Sequence, residues 1–166
     1  MITWYCTRKL LKALPREPVA KPAPATTILG DWHANVVETS AGSLFVFSND
    51  KTLVSVAIPA SDRTLIEEMF VLRIGNLLGM LGIHPSAIES EMRNAPPIQF
   101  ARASDRSKLG HLQSIVVQYQ AIAEDSLRRE PLSLSDAELA MAGMPHLGSF
   151  QKIPQNVIRE LFKPTS

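Results

Sequence analysis

Three apolar segments joined by very short connections constrain the fold of this chain more than any other feature. They cover residues 32–39, 43–48 and 53–59, and they are rich in the β-branched and aromatic residues that favour strands. The connections, residues 40–42 and 49–52, carry turn-forming residues. Strands joined by such short loops pair antiparallel, so the sequence predicts a three-stranded meander.

Further elements are predicted on both sides of this meander. Residues 2–6 and 98–102 have strand composition. Apolar periodicity and capping residues predict helices at residues 7–14, 61–81, 85–93, 104–128, 135–143 and 154–162. Loops are expected at residues 130–135 and 144–148. The predicted fold class is α+β, with a small antiparallel β-meander sheet of about four or five strands packed against several α-helices.

The starts of several helices rest on specific capping residues. Thr7 and Ser61 are expected to cap the helices that begin there. Ser104 is expected to cap the long helix that follows residue 104. Ser135, with Glu138 three residues later, matches a capping box and is expected to begin the next helix.

The length of 166 residues fits one domain. The predicted α+β domain, residues 1–166, divides into a strand and helix (1–14), a proline-rich connector (15–26), a core (27–128) and a C-terminal helical extension (129–166). Four prolines stiffen the connector, which makes the first helix a possible separate arm, either mobile or packed.

Charge and cysteine content exclude several classes of protein. The net charge is only +1, so no overall field indicates nucleic acid or an anionic membrane. The first 21 residues nevertheless carry a local charge of +4, and Arg8, Lys9 and Lys12 are weak candidates for nucleic-acid contacts. One cysteine, Cys6, permits no internal disulfide. With no apolar segment long enough to span a bilayer and no signal-like start, a cytoplasmic protein is expected.

The segment 30–35 concentrates polar chemistry at the start of a predicted strand. Strand alternation places Asp31, His33 and Asn35 on one face and Trp32 on the other. An aspartate beside a histidine suits a general base and its orienting carboxylate, so Asp31 and His33 are candidate catalytic residues. Trp32 and Asn35 are candidate binding residues. The alternative is structural: Asp31 in a turn, Trp32 in the core, and the other two at strand edges.

A second polar cluster, residues 104–108, begins the longest predicted helix. Asp105, Arg106 and Ser107 could bind an anion or phosphate beside the free amides of the helix start, or they could simply cap the helix. The four histidines have no metal-ligand spacing, and the glycines form no phosphate-binding loop, so no metal and no cofactor are predicted.

Several segments resemble an uncharacterised bacterial family classed as a domain of unknown function. They are CTRKLL at residues 6–11, LGDWHAN at 29–35, LFV at 44–46, TL at 52–53, DRSKLG at 105–110, and the tail from 144 to 162. The resemblance implies a compact α+β domain of bacterial, cytoplasmic origin and implies no activity. The chain departs from the family pattern at His33, where a tyrosine is expected, and at Gln113, where an asparagine is expected. The first departure disfavours a catalytic His33.

Three hypotheses for function follow. The first is a non-enzymatic module that binds a protein or another macromolecule, with the basic arm and the last helix as detachable segments. The second is a hydrolase or phosphodiesterase that uses Asp31 and His33, with Arg106 holding an anion. The third is nucleic-acid binding through the basic N-terminal arm.

Overall fold

The computed structural model describes residues 1–126, 133–145 and 152–163. Within these ranges the strands are β1 (Ile2–Cys6), β2 (Trp32–Thr39), β3 (Gly42–Asn49), β4 (Ser55–Pro59) and β5 (Ile98–Arg102). The α-helices are α1 (Arg8–Ala13), α2 (Ile66–Met80), α3 (Pro85–Asn94), α4 (Arg106–Ser126), α5 (Leu134–Ala142) and α6 (Pro154–Leu161). A 3-10 helix, Ala60–Leu65, leads into α2.

The strands form one mixed sheet in the order β4-β3-β2-β1-β5. Strands β2, β3 and β4 pair antiparallel, so the predicted meander is confirmed. Strand β1 lies between β2 and β5 and is parallel to both, with Trp4 opposite Trp32 and Phe100. The α+β class is confirmed. The sheet is mixed, rather than antiparallel throughout, because β1 connects to β2, and β4 to β5, through helical crossovers.

Asn49 joins the turn after β3 to the segment that precedes β2. Its side chain is fully buried, and its Oδ1 accepts hydrogen bonds from the amides of Lys51 (3.1 Å) and Thr52 (3.0 Å). Its Nδ2 donates to the carbonyl oxygens of Leu29 (3.0 Å) and Asp31 (3.2 Å). One amide side chain therefore fixes the polar entrance of β2 against the neighbouring turn.

Alternate strand residues face two separate apolar cores. On the first face, Trp32, Ala34 and Val36 pack with residues of α1 and α2, and α3 lies against the same core. On the second face, Val37 and Val46 pack with residues of α4 and α5. Helices thus cover both faces of the sheet. Because successive side chains of a strand point to opposite faces, each face presents a different set of side chains, including at the strand ends.

The N-terminal segment is part of the first core. Thr7 caps α1, as predicted, and Leu10 and Leu14 are buried, with 0% and 4% of their surface exposed. The connector follows the open edge of β5, where the amide of Val19 donates to the carbonyl oxygen of Phe100 (2.7 Å). Of the two outcomes considered for the first helix, the packed one is the one observed.

Three predicted helix starts are wrong. Asp105, not Ser104, caps α4: its Oδ1 accepts from the amides of Ser107 (2.9 Å) and Lys108 (3.1 Å). Ser133, not Ser135, caps α5, because its hydroxyl accepts from the amide of Asp136 (3.1 Å). The predicted capping box therefore does not form. The first stretch of the helix expected from residue 61 is instead the 3-10 helix.

The C-terminal helix also packs on the first face. Ile158 is fully buried there, and Pro154 is buried at the first turn of α6. The predicted helix end at residues 127–128 and the parts of the predicted loops at residues 130–132 and 146–148 lie outside the described residues. None of the described helices combines the length and the hydrophobicity that a membrane-spanning segment requires.

Glu138 is buried and paired instead of forming the expected cap. Its Oε1 accepts from Nε of Arg73 in α2 (2.7 Å) and from the amide of Ala57 in β4 (2.9 Å). Its side chain is 2% exposed and that of Arg73 is 14% exposed. Burial raises the pKa of Glu138, against the opposing effects of Arg73 and the Ala57 amide. The carboxylate joins α5, α2 and β4 around one ion pair.

Replacing Arg73 with Met should lower the free energy of unfolding by about 3–5 kcal/mol, because it leaves the Glu138 charge buried without its partner. Arg93→Met is the matched control, since Arg93 forms an exposed pair with Glu89 that is worth less than about 1 kcal/mol. Urea denaturation of both variants measures the difference. Equal losses in the two variants would contradict this account.

The same pair predicts a pH dependence. Because the pKa of Glu138 is raised on folding, the folded protein binds this proton more readily than the unfolded chain. The stability of the native protein relative to Glu138→Gln should therefore increase as the pH falls from above the folded pKa to below the unfolded pKa. Denaturation of both proteins between pH 4 and pH 8 measures it. A constant difference across this range would contradict the shift.

Candidate anion-binding site

The polar segment ahead of β2 anchors that strand to β1. Oδ1 of Asp31 accepts a hydrogen bond from the amide of Thr3 (2.7 Å). Burial raises the pKa of Asp31, the amide of Thr3 opposes this, and the charge of Asp50 adds to the increase. The carboxylate therefore has a structural partner in the adjacent strand.

His33 is enclosed on the second face of the sheet. Its Nδ1 lies 2.7 Å from Oδ1 of Asp50, and its ring stacks on Tyr5 with centroids 5.1 Å apart. The side chain is 5% exposed, and Nε2, the atom that would take a proton from a substrate, is buried without a hydrogen-bond partner. This geometry presents almost no imidazole surface to a substrate, and it favours a structural role for His33.

Trp32 and Asn35 have partners within the fold. Trp32 is 1% exposed and packs edge-on against Phe70, with ring centroids 5.1 Å apart. Oδ1 of Asn35 accepts from the hydroxyl of Thr7 (2.6 Å) and from the amide of Val36 (2.8 Å). Asn35 thereby ties β2 to the cap of α1, and the indole of Trp32 belongs to the core.

The second polar cluster meets the first at Asp50. Nζ of Lys108 donates to the carbonyl oxygen of Asp50, whose carboxylate lies 2.7 Å from Nδ1 of His33. The amide of Lys108 is the largest cause of the lowered pKa of Asp105. Arg106 and Ser107 are exposed beside this contact. The two clusters are thus brought together, and Asp105 acts as a helix cap within them.

No three histidine, cysteine, aspartate or glutamate side chains of the described residues lie close enough together to hold a metal ion. The polar clusters therefore supply hydrogen bonds and charge, and they contain no candidate metal centre.

A different site lies at the carboxyl ends of β1 and β5. We call it the basic pocket: a depression of about 540 Å³ whose lining includes Arg8 and Lys12 of α1, Arg102 at the end of β5, and Arg16 after α1. Cys6 forms part of its wall. The volume is in the range of small-molecule sites, about 300–1,000 Å³.

The charges in the basic pocket are poorly compensated. Within the described part of the chain no carboxylate lines it, and Arg8, Lys12 and Arg102 form no ion pair there. Only Arg16 has an acidic partner, Glu67, at 3.0 Å. The pocket therefore holds three unpaired positive charges around a concave surface, which is an arrangement that favours an anion.

The sheet topology explains why the pocket forms there. The helix after β1 packs on the first face, whereas the helix after β5 packs on the second face. Helices that leave adjacent parallel strands in opposite directions leave a crevice at the strand ends, where ligands commonly bind in open α/β sheets. The amide of Ala103 donates to the carbonyl oxygen of Cys6 (3.0 Å) and closes the floor between the two strands.

A family model described as a domain of unknown function (DUF6933) matches residues 3–156, a range that contains the basic pocket. The chain belongs to the DUF6933 family. The predicted membership of an uncharacterised domain family is confirmed. Comparison with curated proteins and with solved structures finds no match.

In this DUF6933 chain, sequence reasoning located only part of the pocket. Arg8 and Lys12 were already candidates as basic residues of the N-terminal segment. Lys9, predicted with them, points elsewhere and lies 3.9 Å from Glu38. Arg102 was missed, because its proximity to α1 depends on the pairing of β5 with β1. A single arginine at a strand end carries no local signal of this kind.

Cys6 is unsuited to nucleophilic chemistry although it borders the basic pocket. The residue is 1% exposed, and burial raises the pKa of its thiol to about 12. The thiolate, which is the reactive form, is therefore almost absent at neutral pH.

Alkylation tests this assignment, and the result is unambiguous because the chain has one cysteine. Iodoacetamide at pH 8 should modify the folded protein at least about a thousandfold more slowly than the chain in guanidinium chloride, where the thiol regains an ordinary pKa. Mass spectrometry measures both rates. Similar rates would mean that the thiol is accessible and ionised in the pocket.

Proposed function

We propose that this protein is a binding protein for a small molecule that carries a phosphoryl group, held in the basic pocket. The observation that carries the proposal is the group of three unpaired cations, Arg8, Lys12 and Arg102, around a depression of about 540 Å³. The first hypothesis from the sequence was a non-enzymatic module that binds a protein or another macromolecule. The present proposal keeps the non-enzymatic binding role and replaces the macromolecule with a small anionic ligand.

The arrangement of the cations supports a ligand rather than a purely structural role. Arg8 and Lys12 are four residues apart on α1 and so lie on the same face of the helix. Like charges at this spacing destabilise a helix by about 0.2–0.5 kcal/mol. Arg102 adds a third charge from β5. An anion bound among them would remove this repulsion.

The charge of the pocket favours phosphate over carboxylate. A phosphate monoester carries about −1.5 to −2 at pH 7, whereas a carboxylate carries −1. Guanidinium groups also form bidentate hydrogen bonds with phosphate oxygens. Two of the three unpaired cations are arginines.

The earlier hypotheses receive less support from the fold. A macromolecular partner was inferred from two detachable segments, but Leu10 of α1 and Ile158 of α6 are fully buried. The hydrolase hypothesis needs a substrate at His33, whose side chain is 5% exposed. Both hypotheses remain predictions, and neither is supported by a site among the described residues. The cytoplasmic location also remains a prediction.

Titration calorimetry with butyl phosphate at low salt tests the proposal. We expect 1:1 binding that weakens as salt is added, since charge contributes most of it. Arg102→Gln and Arg8→Gln should each reduce the affinity about tenfold to a hundredfold, because a hydrogen bond to a charged group contributes about 1.5–3 kcal/mol.

Lys9→Gln is the matched control: it removes the same charge from the same helix, outside the basic pocket. Its affinity should equal that of the native protein. Equal losses in Lys9→Gln and Arg8→Gln would mean that only the general charge of the segment matters. Absence of binding to the native protein would refute the proposal.

A further inference from the structure

We infer that the ligand carries a second anionic group, which binds in a pocket adjoining the basic pocket, so that the ligand is an organic bisphosphate or a similar molecule with two separate anionic groups. This inference rests on the proposed function. The adjoining pocket, called here the second pocket, has a volume of about 560 Å³ and lies between the end of α1 and the 3-10 helix. Lys12 and Arg16 line both pockets, so the two share a wall.

The second pocket has a cation of its own. Arg63, in the 3-10 helix, lines it together with Lys12 and Arg16, and none of the described carboxylates lines it. Within the described residues Arg63 has no ion-pair partner, whereas Arg16 is held by Glu67. Each pocket therefore has unpaired cations that the other lacks: Arg8 and Arg102 in one, and Arg63 in the other.

The surface of the second pocket is apolar beneath these charges. Leu14, Ile66 and Phe100 line it, and all three are buried, at 4%, 3% and 6% exposed. The guanidinium of Arg16 lies over the Phe100 ring, 5.7 Å from its centroid. A ligand that reached Arg63 from the basic pocket would have to span both depressions, of about 540 and 560 Å³. This favours an organic linker over inorganic pyrophosphate.

The same surface argues against a single-stranded nucleic acid. Proteins that bind such strands stack bases on accessible aromatic rings. The Phe100 ring is buried and covered by Arg16, and the ring of Tyr5 is stacked on His33. None of the exposed large apolar residues in the described ranges is aromatic. A basic pocket without an accessible aromatic ring is better suited to a compact polyanion than to a single-stranded nucleic acid.

Calorimetry with a chemical series tests the inference. The probes are butyl phosphate, with one anionic group, and the bisphosphates of butane-1,4-diol and hexane-1,6-diol. At least one bisphosphate should bind with 1:1 stoichiometry and more than about tenfold more tightly than butyl phosphate, since the second contact is intramolecular. Arg63→Gln should reduce bisphosphate affinity to that of butyl phosphate and leave butyl phosphate affinity unchanged. Arg93→Gln, an exposed arginine on α3, is the control and should change neither.

The outcomes separate this inference from the proposed function. The inference of a second subsite is wrong if butyl phosphate binds but no bisphosphate binds more tightly. It is also wrong if Arg63→Gln weakens the binding of both classes of probe equally. In either case the proposed function stands. If no phosphate compound binds, the proposed function fails. If a ten-residue oligothymidylate binds more tightly than every bisphosphate and depends on Arg63, a nucleic-acid ligand replaces the small molecule.

Discussion

The parallel pairing of β1 with a strand on each side is the constraint on which the structure depends. A tight turn cannot join parallel neighbours, so the chain must leave β1 through α1 and reach β5 through α2 and α3. The helices after β1 and β5 then cover opposite faces of the sheet. This divergence exposes two adjacent strand ends and brings Arg8 close to Arg102, which is distant in sequence. The basic pocket is therefore a consequence of strand order.

Local patterns in the sequence predicted local structure well. The meander, both further strands and the Thr7 cap follow from residue type and spacing, which act over a few positions. The errors arose where a distant partner competes with a local one. Glu138 has the spacing of a capping box with Ser135, yet its carboxylate binds Arg73 and the amide of Ala57, both far away in the chain. Because Glu138 forms this buried ion pair, its side chain is not available for the capping box that the sequence predicted.

The sites show the same limit. The segment 30–35 drew attention because it concentrates polar side chains, and the structure uses them as anchors: Asp31 to β1, Asn35 to the α1 cap, and His33 to the turn after β3. Polar side chains are frequent in this segment because several elements meet at the start of β2 and are held there by hydrogen bonds. The basic pocket has the opposite character, because its cations come from segments that only the sheet brings together. The strand order could not be predicted from the sequence, because it depends on how α2 and α3 pass over the sheet.

The connector between α1 and β2 also has a consequence for solubility. An edge strand offers unpaired backbone groups to any other extended chain, and β5 is an edge strand of this sheet. The amide of Val19 occupies the Phe100 carbonyl on that edge, and the prolines around it lack the amide hydrogens that a further strand would need. The connector thus covers the edge without extending the sheet. Proline richness here disfavours edge-to-edge association, and one of these prolines, Pro18, also lines the basic pocket.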